Sequence, residues 1–246
     1  MSAYESLAGA YDGLTTDVDY KGILDFLEAI LRQLEKAPET VLDLGCGTGS
    51  MSVLLAQKGY RVLGVDISED MLTVAAQKAM DLDNPPFFIR QPMQKLRLPE
   101  KMDAVFCLLD CINYVTEPKD VRQTMQRVYH CLSDGGVFIF DINTPYKLRN
   151  LDGQVFLDEN EESYCVWRAE FEEAENCIYY GIDLFRKQGK LWQRSFEQHC
   201  EYAYEPSELA QWLKEAGFAK VMQFGDCCMS APKNDEQRIY FAAIKE

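Results

Sequence analysis

Asp43, Gly45, Gly47, Gly49 and Asp66 have types and spacing that could do chemistry. In Val41-Leu42-Asp43-Leu44-Gly45-Cys46-Gly47-Thr48-Gly49-Ser50 a short apolar run leads into glycine at every second position. Glycine has no Cβ, so the main chain at such a turn can come close to a ligand, and a helix opening behind it presents N–H groups. Met51 to Lys58, with Leu54, Leu55 and Ala56, reads as that helix. The next apolar run, Tyr60 to Val65, ends at Asp66. A carboxylate about 20 residues past a glycine turn is placed to hold the two hydroxyls of a ribose. The chemistry indicated is binding of a nucleoside-like ligand. Tight packing alone would also use such glycines, but it gives no reason for Asp66.

Two details narrow the ligand. The spacing is G-x-G-x-G, because position 50 is serine, and Asp43 lies two residues before the first glycine. A pyrophosphate favours a helix N-terminus without a nearby carboxylate, whereas a ligand with an amino group can use one. The combination resembles the cofactor site of class I, Rossmann-like S-adenosylmethionine-dependent methyltransferases of the small-molecule type. The resemblance covers residues 40–141 well, 206–246 in pattern, and 151–205 hardly at all. It implies S-adenosyl-L-methionine as cofactor, held by Asp43, Gly45, Cys46, Gly47, Asp66, Ile67, Met71, Gln91, Met93 and Leu108. It also implies an N-terminal segment folded over the cofactor, with Tyr11 and Tyr20 lining the site, although packing explains each tyrosine equally well. Pro92 departs from the pattern, since relatives usually carry an acid there that accepts from the adenine amino group. Proline has no side-chain acceptor and no N–H. Loss of that bond should cost about 1 kcal/mol unless Gln91 replaces it, with the N–H of Met93 still facing the ring.

These residues need a scaffold. Tyr20, Ile23, Leu24, Leu27, Ile30, Leu31 and Leu34 recur at helical spacing before Pro38. Beyond Asp66, Ser68 can cap a helix to about Met80 with Met71, Leu72, Ala75, Ala76 and Ala79 on one face. Phe87–Arg90, Asp103–Cys107 and Val137–Phe140 read as strands, and Thr116-Glu117-Pro118 opens a helix. Alternation of strand and helix predicts an α/β fold, a seven-stranded, mainly parallel sheet with helices on both faces. Phe218–Phe224 and Arg238–Ile244 supply its two final strands after a helix opened by Pro206 and stopped by Gly217. Between them the period changes. Tyr164–Glu172, Ile178–Arg186 and Trp192–Tyr204, with turn signals at Glu175-Asn176 and Gln188-Gly189, predict an antiparallel β insertion. The expected organisation is a helical cap over 1–39, a cofactor-binding α/β domain over 40–150 and 205–246, and the insertion over 151–204. The aromatics Trp192, Phe196, Tyr202 and Tyr204 suit a lid, a packed face or a homodimer contact.

The loop Leu108 to Tyr114 follows the fourth strand, where open parallel sheets place ligands. By the resemblance, Leu108 and Leu109 hold the cofactor's amino end and Asp110, Asn113 and Tyr114 meet the acceptor. A neutral amine acceptor needs no strong base, and for a hydroxyl or ammonium the candidates are Asp110, Tyr114 and His199. A cap or loop bond explains Asp110 equally well, and a lone histidine such as His199 is more often structural.

Composition excludes several classes. The chain has 246 residues, 47% of them apolar, and a net charge of −15. That charge repels phosphate backbones and anionic membranes, which argues against nucleic-acid and membrane partners, and the resemblance implies a small-molecule methyl acceptor. No apolar run approaches the roughly 18 residues of a membrane span, and no signal peptide is expected. Nine scattered cysteines without a C-x-x-C pair, and two histidines, fit no structural zinc site. Free thiols in a reducing cytoplasm are expected. A nicotinamide oxidoreductase, a tRNA-modifying methyltransferase and a non-catalytic cofactor-binding protein remain open at this level.

Overall fold

The computed structural model describes residues 18–246. Its centre is a seven-stranded sheet. The strands are β1 (Thr40–Leu44), β2 (Arg61–Asp66), β3 (Phe87–Arg90), β4 (Met102–Cys107), β5 (Leu132–Asn143), β10 (Lys220–Phe224) and β11 (Arg238–Ile244). Their order is β3-β2-β1-β4-β5-β11-β10, parallel except for β11, which runs antiparallel to β5 and β10. Helices cover both faces, so the strand interiors are apolar and buried. Asp43 and Asp141 are the charged exceptions within them.

The helices follow their caps. α1 (Tyr20–Gln33) starts where Asp19 accepts from the N–H of Gly22 at 2.9 Å, and it buries Ile23, Leu24, Phe26, Leu27, Ile30 and Leu31. α2 (Ser50–Gln57) follows the glycine turn, and α3 (Glu69–Ala79) is capped by Ser68 as expected. Ala76 is exposed, so the buried face of α3 is Met71, Ala75 and Ala79. α4 (Pro118–Cys131) is entered through Glu117 rather than Thr116, with Pro118 in its first turn. The final helix, α6 (Pro206–Ala216), stops at Gly217 in the left-handed conformation.

Between β5 and α6 lie a short helix, α5 (Pro145–Asn150), and a four-stranded antiparallel sheet. That sheet comprises β6 (Val155–Glu159), β7 (Ser163–Glu172), β8 (Cys177–Gln188) and β9 (Leu191–Tyr202), in that order. Sequence patterning missed α5 and β6. The first is barely more than a turn, and β6 is an edge strand whose five residues are all exposed. Asn176 and Gly189 make the two hairpin turns with positive φ, 53° and 62°. Cross-strand partners share a face. Ile178, Tyr180, Ile182 and Leu184 therefore lie on one face, which packs on Leu148 of α5. The register Tyr180↔His199 and Ile178↔Glu201 puts His199 and Glu201 on that inner face. The aromatic strip splits instead of acting as one. Trp192 and Phe196 are half exposed at the far end, while Tyr204 is buried against Trp212. Among the described residues no helix is long and apolar enough to cross a membrane.

Candidate active site

The glycine turn is built by the end of β1 against β2. The N–H groups of Gly45 and Cys46 both donate to the carbonyl of Val65, at 2.7 and 3.1 Å. Gly45, Gly47 and Gly49 have φ of +80°, +51° and +74°, a region that side chains rarely adopt. Their surroundings differ. A Cβ on Gly45 would lie 2.7 Å from Cys111 Sγ, and one on Gly49 2.8 Å from the Cβ of Ala75. At Gly47 a Cβ would meet nothing within 4 Å among the described residues. Gly45 and Gly49 thus serve packing, and Gly47 faces open space.

Asp66 closes this pocket. Its carboxylate accepts from the N–H of Gly47 at 2.9 Å and of Ser68 at 2.8 Å, one bond on each oxygen. Each oxygen keeps a second acceptor site, enough for a pair of ribose hydroxyls. Burial raises the carboxyl's pKa, while the backbone N–H groups pull it down. Asp43 is buried and accepts from Ser52 Oγ at 2.5 Å. Burial pushes it up to about 6, opposed by the Ser52 bond and helped by the charge of Asp66. An open approach at Gly47, a ribose carboxylate and an acid suited to an amino group fit S-adenosylmethionine on this chain's own geometry.

The other predicted cofactor residues surround the turn. Ile67 is 55% exposed beside Asp66. Met71 is buried in the first turn of α3, with its N–H taken by Ser68 Oγ. Cys46 and Leu108 are buried at the ends of the turn and of β4, and burial raises the Cys46 thiol pKa. Tyr20 begins α1 and is half buried, and Tyr11 lies outside the described residues. Gln91 does not replace the missing acid, because its amide accepts from the N–H of Arg97 at 3.0 Å and donates to the Arg97 carbonyl at 3.2 Å. Pro92 instead opens a 3-10 turn, Met93–Lys95. The N–H of Met93 heads that turn and has no partner within it.

A second group of polar residues lies beyond β4 and β5 and at the start of β11. Leu109 and Asp110 both have left-handed backbones, φ 57° and 53°. Their N–H groups donate to Asp141 at 2.7 and 2.9 Å, which fixes the loop in that strained shape. Arg238 bonds Asp141 and also reaches Asp110 Oδ1 at 2.7 Å. Burial raises Asp141 although Arg238 opposes it, and the two carboxylates outweigh burial to keep Arg238 charged.

Tyr114 and His199 meet edge to face, ring centres 6.1 Å apart, and His199 Nε2 lies 3.0 Å from Glu197. Of the three predicted catalytic residues, this contact joins two, while Asp110 is ion-paired to Arg238. Asn113 is structural rather than substrate-facing. Its amide donates to the carbonyls of Asn143 and Tyr202, both at 3.0 Å, and accepts from the N–H of Asn143 at 3.1 Å. It stitches the inserted sheet to the loop after β4. Sequence reasoning missed Asn143, Lys147, Tyr180, Glu201 and Arg238. The available signal was polarity inside strands: Asp141 and Asn143 interrupt an apolar run, and Glu201 is buried on β9.

Comparison with known proteins agrees with this geometry. A methyltransferase-domain family matches residues 41–136, from β1 to the start of β5. A putative methyltransferase of Geobacillus sp. (strain WCH70) is 33% identical over 245 residues, 98% of this chain and 99% of its own. The crystal structure of an S-adenosylmethionine-dependent methyltransferase from Clostridium acetobutylicum ATCC 824 superimposes with a TM-score of 0.88 at 29% identity, covering 99% of both chains. The sugar N-methyltransferase KedS8 of Streptoalloteichus sp. shares the fold, TM-score 0.80, at 19% identity over 100% of this chain and 97% of its own. The chain belongs to the class I S-adenosylmethionine-dependent methyltransferases. It is an enzyme of that class and its cofactor is S-adenosyl-L-methionine. The nicotinamide oxidoreductase reading has no support among these matches.

Proposed function

We propose that the enzyme methylates a small molecule on nitrogen or oxygen, held between the carboxyl ends of β4 and β5 and the inserted sheet. The observation that carries this is the stitching of that sheet across the site. Asn113 bonds the carbonyl of Tyr202, and Asn143 bonds Glu201, so the chain itself roofs the acceptor side. A site covered in this way suits a small acceptor better than a duplex or a stem, and a net charge of −15 points the same way.

When bound, S-adenosylmethionine supplies an activated methyl group on its sulfonium. The chain's task is then orientation and exclusion of water. Asp66 and the Gly47 main chain hold the nucleoside, Asp43 suits the amino end, and the Asp141-bound loop sets the floor under the acceptor. Pairing of two copies through the exposed Trp192 and Phe196 end of the inserted sheet, and a cytoplasmic location suited to nine free thiols, belong to the same reading.

The test is S-adenosylhomocysteine release with a panel of amines, an amino sugar, phenols, carboxylates and a bulk tRNA sample. Turnover with a small molecule supports the reading. Turnover with tRNA alone overturns it.

A further inference from the structure

Six polar side chains from separate elements converge where the inserted sheet meets the α/β sheet. They are Asp110 after β4, Asn143 on β5, Lys147 on α5, Tyr180 on β8, Glu201 on β9 and Arg238 on β11. Burying so many polar groups is costly, and groups perturbed by burial and by charged neighbours cluster at functional sites. Their bonds form an ordered relay. Lys147 Nζ donates to Asn143 Oδ1 at 2.8 Å, which fixes the orientation of that amide. The Asn143 Nδ2 then donates to Glu201 Oε2 at 2.9 Å. Tyr180, the cross-strand neighbour of His199, lies on the same inner face, and burial followed by the charge of Glu201 raises its hydroxyl's pKa. Asp110 is already matched by Arg238, and Asp183 on the outer face of the inserted sheet by Arg168 and Arg194. Glu201 is 3% exposed and its hydrogen-bond partner, Asn143, is neutral, with no salt bridge among the described residues.

We propose that Glu201 is the acceptor-side carboxylate, which binds an amine acceptor and takes up the proton that its nitrogen must lose. This deepens, and rests on, the methyl-transfer reading above. The ammonium of the acceptor gives its proton to the Glu201 carboxylate. The lone pair so freed forms the bond to the methyl carbon, whose old bond to sulfur leaves with its electrons on sulfur. The product is an N-methylammonium, and Glu201 later returns its proton to solvent. Burial, then the charge of Asp110, pushes the Glu201 carboxyl up to about 8, against the pull of Asn143, Lys147 and Arg238. A base is most effective when its proton affinity lies near the working pH. A carboxylate acceptor would gain nothing from it, because a carboxylate carries no proton to remove, and a phenol would lack the positive charge that the Glu201 carboxylate binds.

The test uses the full chain and Glu201→Gln, which keeps the shape and still accepts from Asn143. Both proteins are titrated with S-adenosylhomocysteine and then, saturated with it, with dimethylamine, ethanolamine, glucosamine and tyramine. Glutamate is labelled with 13C at the carboxyl, and the Glu201 signal is assigned by its loss in the variant. Equal S-adenosylhomocysteine affinity is expected for the two proteins. At least one amine should move the Glu201 carbon signal. Methyl transfer to that amine should fall roughly 100-fold in the variant, with loss of the rise in rate near pH 8. A Glu201 signal that no amine moves, or a variant with the wild-type pH profile, overturns the proposal. Methyl transfer to a phenol or carboxylate only, unaffected by the variant, overturns it while leaving small-molecule methylation standing. Failure of every acceptor while an amine still moves the Glu201 signal counts against the methyl-transfer reading instead.

Discussion

Arg238 opens β11 and grips Asp141 on β5, its antiparallel neighbour, in an ion pair whose carboxylate is fully buried. The same guanidinium spans to Asp110, and the Asp141 carboxylate holds the N–H groups of Leu109 and Asp110. One cation therefore neutralises two carboxylates and stabilises a left-handed loop. Removing it as Arg238→Met leaves both acids buried without a partner. The expected loss is about 3–5 kcal/mol, read from urea unfolding. Arg238→Lys should recover only part, because a point charge cannot reach both acids. A variant as stable as the wild type would show that the pair contributes nothing to holding the loop.

Asp66→Ala removes the acceptor that organises the N–H groups of Gly47 and Ser68 as well as the proposed ribose contact. Hydrogen bonds to a charged group contribute about 1.5–3 kcal/mol, so S-adenosylhomocysteine binding should weaken roughly 10- to 100-fold by calorimetry. Identical heats for variant and wild type would refute the assigned ribose clasp.

The glycines separate packing from binding. Gly49→Ala drives a Cβ to 2.8 Å from Ala75 and should cost about 2 kcal/mol or more. Gly47→Ala meets no described atom within 4 Å and should cost only the left-handed backbone term, about 1–2 kcal/mol. Cofactor affinity should fall in both, but in Gly47→Ala by far more than its loss of melting temperature explains. Equal ratios of affinity loss to stability loss would sink the distinction.

Asp43 gives the cofactor affinity a pH dependence. Its carboxyl holds a proton up to about pH 6, so above that point it is charged and attracts an amino group. Affinity for S-adenosylhomocysteine should drop roughly tenfold between pH 7 and pH 5. Asp43→Asn should be weak and flat over the same range. A pH-independent wild type would remove Asp43 from the amino-end contact.

Glu201 has the opposite consequence for stability. The unfolded chain releases this proton near 4.5, whereas the folded chain keeps it to about 8. Between those values the folded state binds more protons, so stability falls as pH rises. Glu201→Gln should therefore melt higher than wild type at pH 9, by at most about 5 kcal/mol, and equally at pH 4. A variant that melts lower at pH 9 would contradict a carboxyl held neutral by burial.

The legible part of the molecule is the part written locally. The cofactor side runs from Asp43 to Asp66 in one strand-turn-helix-strand unit, so glycine spacing and apolar period announce it together. The seven-stranded, mainly parallel sheet followed from the same alternation. The inserted sheet was recognisable by its period, yet Trp192 and Phe196 parted from Tyr204 because only part of β9 reaches the core. Gln91 and Asn113 were misjudged for a different reason. Both are polar residues beside the site whose side chains are consumed by neighbouring backbone, and no spacing rule records that.

The chain's own order of residues determined the cofactor pocket, because glycine conformations and a carboxylate one βαβ step away are local facts that hold before packing. Tertiary structure alone decided the acceptor side. Arg238 meets Asp110 across 128 residues, and Asn143 meets Glu201 across 58. Which buried charges are matched, and which carboxyl keeps its proton, depends on the distances between such remote side chains and on the water excluded from around them.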